Sequence, residues 1–428
     1  MSRNNQNIKQ EFFRDTGLVK REIVIGGSKF SAKVKSSKPF LSEERDFFVS
    51  SLDREVDYEG QGGKKITYID LFCGGGGLSL GVHNAFNFFG VSPKLILAAD
   101  LDAKALGLVK QRFKSLYSIN DNVSSLVKFS VDHSGSSDDF IHQPEFYDSR
   151  IANLKGKIDL LVGGPPCQGH SNLNNRTRRV DERNDLYYIM PAFAVGLDIP
   201  IVVIENVEAI KFSNEDVVGI SSKIFQKHGY HLYERNLSSE NYGVAQTRGR
   251  HFLIASKKPL HNLDQMIDKL QSSEELRFDD INQDLPDIQF QNEMLTKESE
   301  YSEENKNRIN FLHDNDLYNL PSKERPICHQ DGHTYSAVYG RIFPERASPT
   351  ITTGFYSPGR GRYIHPHERR AINAREAGRI QSFPDYYWKD AEKLGFLKAQ
   401  YAKIIGDAVP SGLVFPLIAA ISEAHFFK

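Results

Sequence analysis

Short apolar runs rich in β-branched or aromatic residues recur at 66–72, 95–99, 127–131, 158–162, 201–204 and 251–255. Between them lie stretches whose apolar residues fall at helical spacing, an alternation that predicts βαβ units and a mostly parallel sheet. Elsewhere the regularity fails. Residues 1–64 mix charge, Ser and Gly with strand-like pieces at 22–25 and 30–34, an accessory extension of unknown role. Residues 257–304 become acidic and rich in Gln and Asn, and 335–363 carry turn chemistry such as Thr352-Thr353-Gly354 and Ser357-Pro358-Gly359, which predicts loops and short strands. The apolar stretch 412–421 predicts a helix that must pack on a core, that of the βα unit being the nearest available. The pattern as a whole is α/β, one large unit with a smaller irregular one.

In open α/β folds ligands bind beyond the carboxyl ends of the strands, so the residues that end each run carry the chemistry. The first run passes through Asp70-Leu71-Phe72-Cys73 into four glycines, Gly74 to Gly77, where backbone amides can approach a bound nucleoside. The dinucleotide fingerprint does not fit, because its sixth place falls on Ser79 or Leu80, which disfavours a nicotinamide cofactor. Asp100 closes the second run, where an acid commonly accepts ribose hydroxyls. Gly163-Gly164-Pro165-Pro166-Cys167-Gln168 ends the fourth and presents a thiol; Glu205-Asn206-Val207 ends the fifth and presents a carboxyl group. A thiolate at Cys167 needs nearby cations, and Arg176, Arg178, Arg179, Arg183, Arg248 and Arg250 supply candidates. A plain glycine turn, an inert cysteine and a surface carboxylate remain open readings of the three elements taken singly.

Composition narrows the class. Three cysteines in 428 residues, with no pairing pattern, argue against a disulfide framework and for a reducing compartment. The first ten residues lack an apolar signal core, and no uninterrupted apolar stretch approaches the ~20 residues of a membrane helix. Net charge is −1, so a polyanionic partner is neither required nor excluded. The distribution is uneven: eight arginines lie between Arg341 and Arg379, whereas 274–304 is acidic. Phosphate contact and structural ion pairing both remain open for the basic block.

The motifs in order resemble the C5-cytosine DNA methyltransferase family. The resemblance rests on Asp70-Leu71-Phe72 with its glycines, Asp100, Pro166-Cys167-Gln168 with Ser171 and the 181–186 segment, Glu205-Asn206-Val207, and Gln246-Thr247-Arg248-Gly249-Arg250. It continues through Arg369, Arg375-Glu376-Ala377-Gly378-Arg379, Phe383-Pro384-Asp385 and Gly406-Asp407-Ala408-Val409-Pro410, spanning about 66–421. It implies a Rossmann-like S-adenosylmethionine-dependent methyltransferase sheet with a smaller, irregular target-recognition domain. The implied division is an extension at 1–64, a catalytic and cofactor unit at 65–256 completed by 400–428, target recognition at 257–365, and a hinge and motif segment at 366–399.

By the same resemblance Cys167 would add to carbon 6 of a flipped cytosine, Glu205 would hold or protonate ring nitrogen 3, and Arg250 would bond the carbonyl oxygen beside it, with Arg248 the fourth catalytic residue. Asp70, Phe72, Gly74, Gly75, Gly77, Leu78, Asp100, Leu101, Asp132, Pro166, Asp407 and Ala408 would form the S-adenosylmethionine site. Gln168, Ser171, Arg183, Thr350, Arg360 and Arg362 would contact DNA, and no metal is expected. The implied partner is double-stranded DNA, with a restriction endonuclease as functional counterpart or none; a cytoplasmic, nucleoid-associated monomer of bacterial type is expected. Two alternatives stay open. One is the tRNA-directed branch, whose Cys-Phe-Thr signature is missing; the other is a binding protein that has lost turnover, hinted at by Asp407 where the family usually has Asn.

Overall fold

The computed structural model describes residues 8–13, 18–25, 28–35, 65–89, 91–132, 138–166, 186–212, 216–272, 275–282, 292–330 and 337–426. In the amino-terminal extension, β1 (Ile8–Phe13), β2 (Leu18–Ile25) and β3 (Ser28–Lys35) form an antiparallel meander.

The main unit alternates as the apolar pattern predicts. It runs β4 (Lys65–Leu71), α1 (Gly77–Phe88), β5 (Ser92–Ala99), α2 (Ala103–Phe113) and β6 (Tyr117–Ile119). After a small antiparallel pair, β7 (Val127–Lys128) with β8 (Glu145–Phe146), come β9 (Leu160–Gly163), α3 (Ile189–Leu197), β10 (Ile201–Asn206), α4 (Val217–Lys227) and β11 (His231–Ser238). The short β12 (Gln246–Thr247) leads into β13 (Gly249–Ser256), and α5 (Leu263–Lys269) follows. The seven-stranded sheet has the order β11-β13-β10-β9-β4-β5-β6, parallel except for β13, which runs against both its neighbours.

Two strand expectations need correction. The run at 127–131 does not enter the main sheet: Val127 and Lys128 pair with β8, and Val131 makes an isolated bridge to Phe140. The far edge is instead Tyr117–Ile119, and the other edge is His231–Ser238. Edge strands keep one side wet, so the polar sequence HLYERNLS lacks the apolar run that marks a central strand.

Alternation places successive side chains of each central strand in different apolar layers. Leu160, Val162, Ile201, Val203, Phe252 and Ile254 pack with α1, α5 and the carboxyl-terminal helix α9 (Ser411–Ile421). Leu161, Val202, Ile204, Leu253 and Ala255 pack with α3 and α4. The run Lys398–Phe426 is apolar enough by composition to pass for a membrane span, yet 78% of its most apolar window is buried inside the protein. Close approach explains why: a Cβ on Gly81 would stand 2.4 Å from Val414 Cβ, so the bare backbone of α1 lets α9 lie against it.

The remaining chain contributes α6 (Glu303–Asp314), β14 (Ser348–Pro349), α7 (Ala374–Ile380) and α8 (Lys398–Asp407). A third apolar cluster joins Leu80 of α1 and Leu108 of α2 to Ile351, Phe355, Ile380, Trp388, Tyr401 and Ile405. The arginine-rich segment is fixed by ion pairs. Arg375 Nη2 and Arg379 Nη2 each lie 2.7 Å from Asp385 Oδ2, with all three side chains buried, and Arg370 forks onto Glu376.

Candidate active site

Register brings the chemistry to one edge. Leu71 pairs with Gly163 and Ala99, and Gly163 with Ile204, so the segments after β4, β5, β9 and β10 all leave the sheet side by side.

At the β4 exit the four glycines do different work. Gly74 has φ +48°, and a Cβ built there would meet nothing within 4 Å, so its backbone faces open space that a ligand can occupy. Its N–H donates to Asp100 Oδ2 at 2.8 Å, while Asp102 N–H donates to Asp100 Oδ1 at 2.8 Å. A carboxylate oxygen accepts more than one donor, so this acid retains capacity for hydroxyl groups. Leu101 beside it is 71% exposed, an apolar surface suited to a flat base. Phe72, half-buried with φ +56°, holds a left-handed backbone that non-glycine residues rarely adopt.

Other members of the expected cofactor set also have contacts within the chain. A Cβ on Gly75 would lie 2.1 Å from Ile404 Cγ2, and one on Gly77 2.2 Å from the Val409 carbonyl oxygen. These two glycines therefore admit the 404–409 segment of the chain itself. Leu78 is a buried member of the apolar layer under α1. Asp70 is fully buried and accepts the Ser79 hydroxyl at 2.5 Å; burial first, then the Asp100 charge, push its carboxyl up to about 7. It underpins the loop and does not line the cleft.

The β10 exit carries the acid. Glu205 is 7% exposed, and Arg250 Nε of β13 lies 2.7 Å from its Oε1. Burial pushes this carboxyl above its ordinary range even though Arg250 and Arg248 pull it down. Gly164 is adjacent: a Cβ there would stand 3.1 Å from Glu205 Oε2. Asn206 Nδ2 donates to the Pro165 carbonyl at 3.1 Å, which fixes the 164–166 segment to the end of β10. Pro166 is the last described residue of that segment; Cys167, Gln168, Ser171 and Arg183 lie outside the described residues.

Arg248 and Arg250, two residues apart, divide their tasks. Arg248 is buried and donates from Nη1 to Ile351 O at 2.9 Å and from Nη2 to Gly406 O at 3.3 Å. Its charge lowers the Glu205 carboxyl, and its two carbonyl contacts tie the start of β13 to the 351 and 406 segments. Gln246 extends the same strut. Its Oε1 accepts Ile351 N–H at 2.7 Å, its Nε2 donates to Gln381 Oε1 at 2.8 Å, and Gln381 Nε2 donates to Ile405 O at 2.6 Å. Gln246, Gln381 and Asn206 were not among the candidate site residues; a buried amide gives no periodic signal in sequence.

The other candidates are dispersed around this frame. Thr350 donates its hydroxyl to Thr247 O at 2.7 Å, beside the β12–β14 pair. Arg362 is engaged within its own region, donating to Tyr318 O at 2.7 Å and Arg341 O at 2.9 Å, whereas Arg360 is exposed. Asp132 N–H donates to Asp139 O at 2.8 Å. Ala408 is buried, whereas the Asp407 side chain is 60% exposed, with Lys403 Nζ 3.6 Å from its Oδ2. Lys403 also reaches Asp102 Oδ2 at 3.5 Å, so one ammonium serves two acids.

Known proteins fit this geometry. Against solved structures, the chain matches a DNA modification methyltransferase encoded within an E. coli prophage (TM-score 0.54, 23% identity, 84% of this chain and 99% of that one). It also matches the Entamoeba histolytica methyltransferase EhMeth (TM-score 0.55, 17% identity, 86% and 100%). These likenesses are of fold, a methyltransferase sheet. The chain is 35% identical over 429 residues to the type II methyltransferase M1.BsuMI of Bacillus subtilis, covering 96% of this chain and 95% of that one. It is 28% identical over 397 residues to the type II methyltransferase M.DdeI of Desulfomicrobium norvegicum, covering 83% and 88%. The model of the C-5 cytosine-specific DNA methylases matches residues 66–423. With a catalytic edge of this composition on a methyltransferase sheet, the chain belongs to the C-5 cytosine-specific DNA methylase family and is a DNA cytosine-5 methyltransferase similar to the bacterial type II enzymes.

Proposed function

We propose that this chain methylates carbon 5 of a flipped cytosine in a specific duplex sequence through a transient bond to Cys167, with S-adenosylmethionine as donor. The observation that carries the reading is the buried Glu205–Arg250 pair, 2.7 Å apart and packed against Gly164, three residues before the thiol. The Cys167 thiolate adds to ring carbon 6, and the electrons of the 5,6 double bond move to carbon 5. Glu205 bonds ring nitrogen 3 and absorbs the proton change there; Arg250, held by Glu205, donates to the carbonyl oxygen. S-adenosylmethionine, held beside Gly74 and Asp100, would supply an electrophilic methyl group that bonds to carbon 5, its sulfur keeping the electron pair of the broken carbon–sulfur bond. Loss of the carbon 5 proton to solvent then expels Cys167 and restores the ring. Because attack on a stacked base is geometrically blocked, the nucleotide must leave the helix first.

For the cofactor, Gly74, Asp100, Leu101 and Phe72 are the residues that fit, with Asp407 and its Lys403 partner near the same mouth. We assign residues beyond α5 up to 365 to target recognition; Leu263 and Ile267 belong to the apolar layer of the sheet. Action as the modification half of a restriction system is part of this reading and rests on the type II relatives.

The decisive experiment incubates the protein and S-adenosylmethionine with duplex DNA carrying 5-fluorocytosine. Fluorine cannot depart as a proton, so wild type is expected to form a denaturation-resistant adduct and Cys167→Ala none. An active preparation that gives no adduct, or a Cys167→Ala variant that still methylates, overturns the covalent route.

A further inference from the structure

Ile327 is 90% exposed, the most exposed of the large apolar side chains among the described residues. One exposed isoleucine is ordinary by itself. Its setting is not. It heads a one-turn helix, Ile327–His329, closed by His329 N–H to Pro326 O at 2.7 Å and Gln330 N–H to Ile327 O at 3.2 Å. Gln330 Nε2 braces the base of the turn on Arg325 O at 2.7 Å, and Arg325 Nε donates to Leu320 O at 2.9 Å. The turn is thus built to hold an apolar tip out in water.

It is also joined to a second exposed element. The His329 ring meets the edge of Tyr339 with centroids 5.9 Å apart, and the Arg308 guanidinium lies 5.5 Å from the same ring's centroid. Tyr339, at φ +57°, donates its N–H to Pro358 O at 2.7 Å, and Gly359 leaves room for its hydroxyl, which a Cβ would approach to 2.9 Å. Gly359 precedes the exposed Arg360, whose stem lies over Gly354, where a Cβ would come within 2.8 Å of it. Gly354 follows the 350–353 strip that Arg248 and Gln246 grip from the catalytic strand. Lys323 and Arg325 precede the turn with Glu324 between them, Asp331 follows it, and Arg360 is the exposed cation of the joined element.

We propose that the 326–330 turn and Arg360 form one duplex-DNA reading face, Ile327 making the apolar base contact and Arg360 the hydrogen-bonding one. Apolar side chains read the thymine methyl or wedge into a base step, and arginine reads guanine or phosphate. The strip from Gly354 back to Arg248 holds this face at a fixed setting relative to Glu205. The inference rests on the reading that the chain acts on duplex DNA.

Cys328, exposed beside Ile327, is a built-in reporter. With wild type saturated by duplex DNA, as judged by gel shift, maleimide labelling of the Cys328 peptide should slow at least about fivefold; an unchanged rate overturns the proposal. In selection of bound duplexes from a random pool, Ile327→Ser should make one position of the wild-type motif degenerate, costing roughly five- to a hundredfold in discrimination there. Arg360→Gln should relax a different position or weaken all sequences evenly. Both variants change only surface groups. Identical motifs and enrichments from wild type and Ile327→Ser overturn the reading role, even with Cys328 protected. Methyl transfer to the selected pool is scored separately, so a wild type that selects a motif but transfers no methyl group sinks the proposed function and leaves the reading face standing.

Discussion

The parallel sheet and the 341–388 segment both pack on α1 and α2, the sheet through Leu78, Val82, Leu106 and Val109 and the segment through Leu80 and Leu108, but they are held by opposite means. In the sheet, alternating aliphatic residues fill two apolar layers; in the segment, Arg341, Arg370, Arg375 and Arg379 are drawn inside and each is matched by an acid. Apolar packing degrades gradually as atoms are removed, whereas a buried ion pair fails when one partner goes, because the other charge is left without solvent or counter-ion. The first design loses stability in small steps, and the second makes the geometry of the 341–388 segment depend on a few charges.

The sharpest way to break the comparison is Asp385→Asn. It leaves Arg375 and Arg379 facing each other without a carboxylate, and should cost about 3–5 kcal/mol in urea unfolding; a loss no larger than that of a surface substitution would erase the contrast. Asp70 tests the opposite case, a single acid inside the apolar region. Its native carboxyl keeps a proton up to about 7 while the unfolded chain releases it near 3.8. The folded form therefore binds more protons between those values, and stability falls as pH rises through that window and levels off above it. Between pH 5 and pH 8, Asp70→Asn should lose less stability than wild type by roughly 2 kcal/mol. Equal losses in the two proteins would show that the proton is not held there.

Finer still is the pair of glycines. Gly77→Ala drives a methyl into the Val409 carbonyl and should destabilise by roughly 1–3 kcal/mol in thermal unfolding. Gly74→Ala meets open space and bears only the left-handed penalty of about 1 kcal/mol. It should weaken S-adenosylmethionine binding, measured by calorimetry, more than it lowers stability. The reverse ranking would move the cofactor cradle from Gly74 to Gly77.

Legibility in the sequence follows the same divide. Central strands announce themselves because burial on both faces demands unbroken aliphatic runs, and the register of such strands then brings Gly74, Gly164 and Glu205 to one edge. The edge strands at 117–119 and 231–238 escape notice because solvent relaxes that demand. Glycines 74 to 77 look alike in sequence, and only three-dimensional neighbours separate a ligand cradle from a seat for Ile404 and Val409. For the arginine block, phosphate binding and ion pairing make the same demand on composition. The partners Asp316, Glu376 and Asp385 decide for pairing at Arg341, Arg370, Arg375 and Arg379 and leave Arg360 exposed.

The seat of α9 on α1 also imposes a schedule on synthesis. Gly77 and Gly81 leave the ribosome early, while Val409 and Val414, which close over them, are translated last among the elements described. A nascent chain thus carries its glycine loop with one wall missing until α9 has been made.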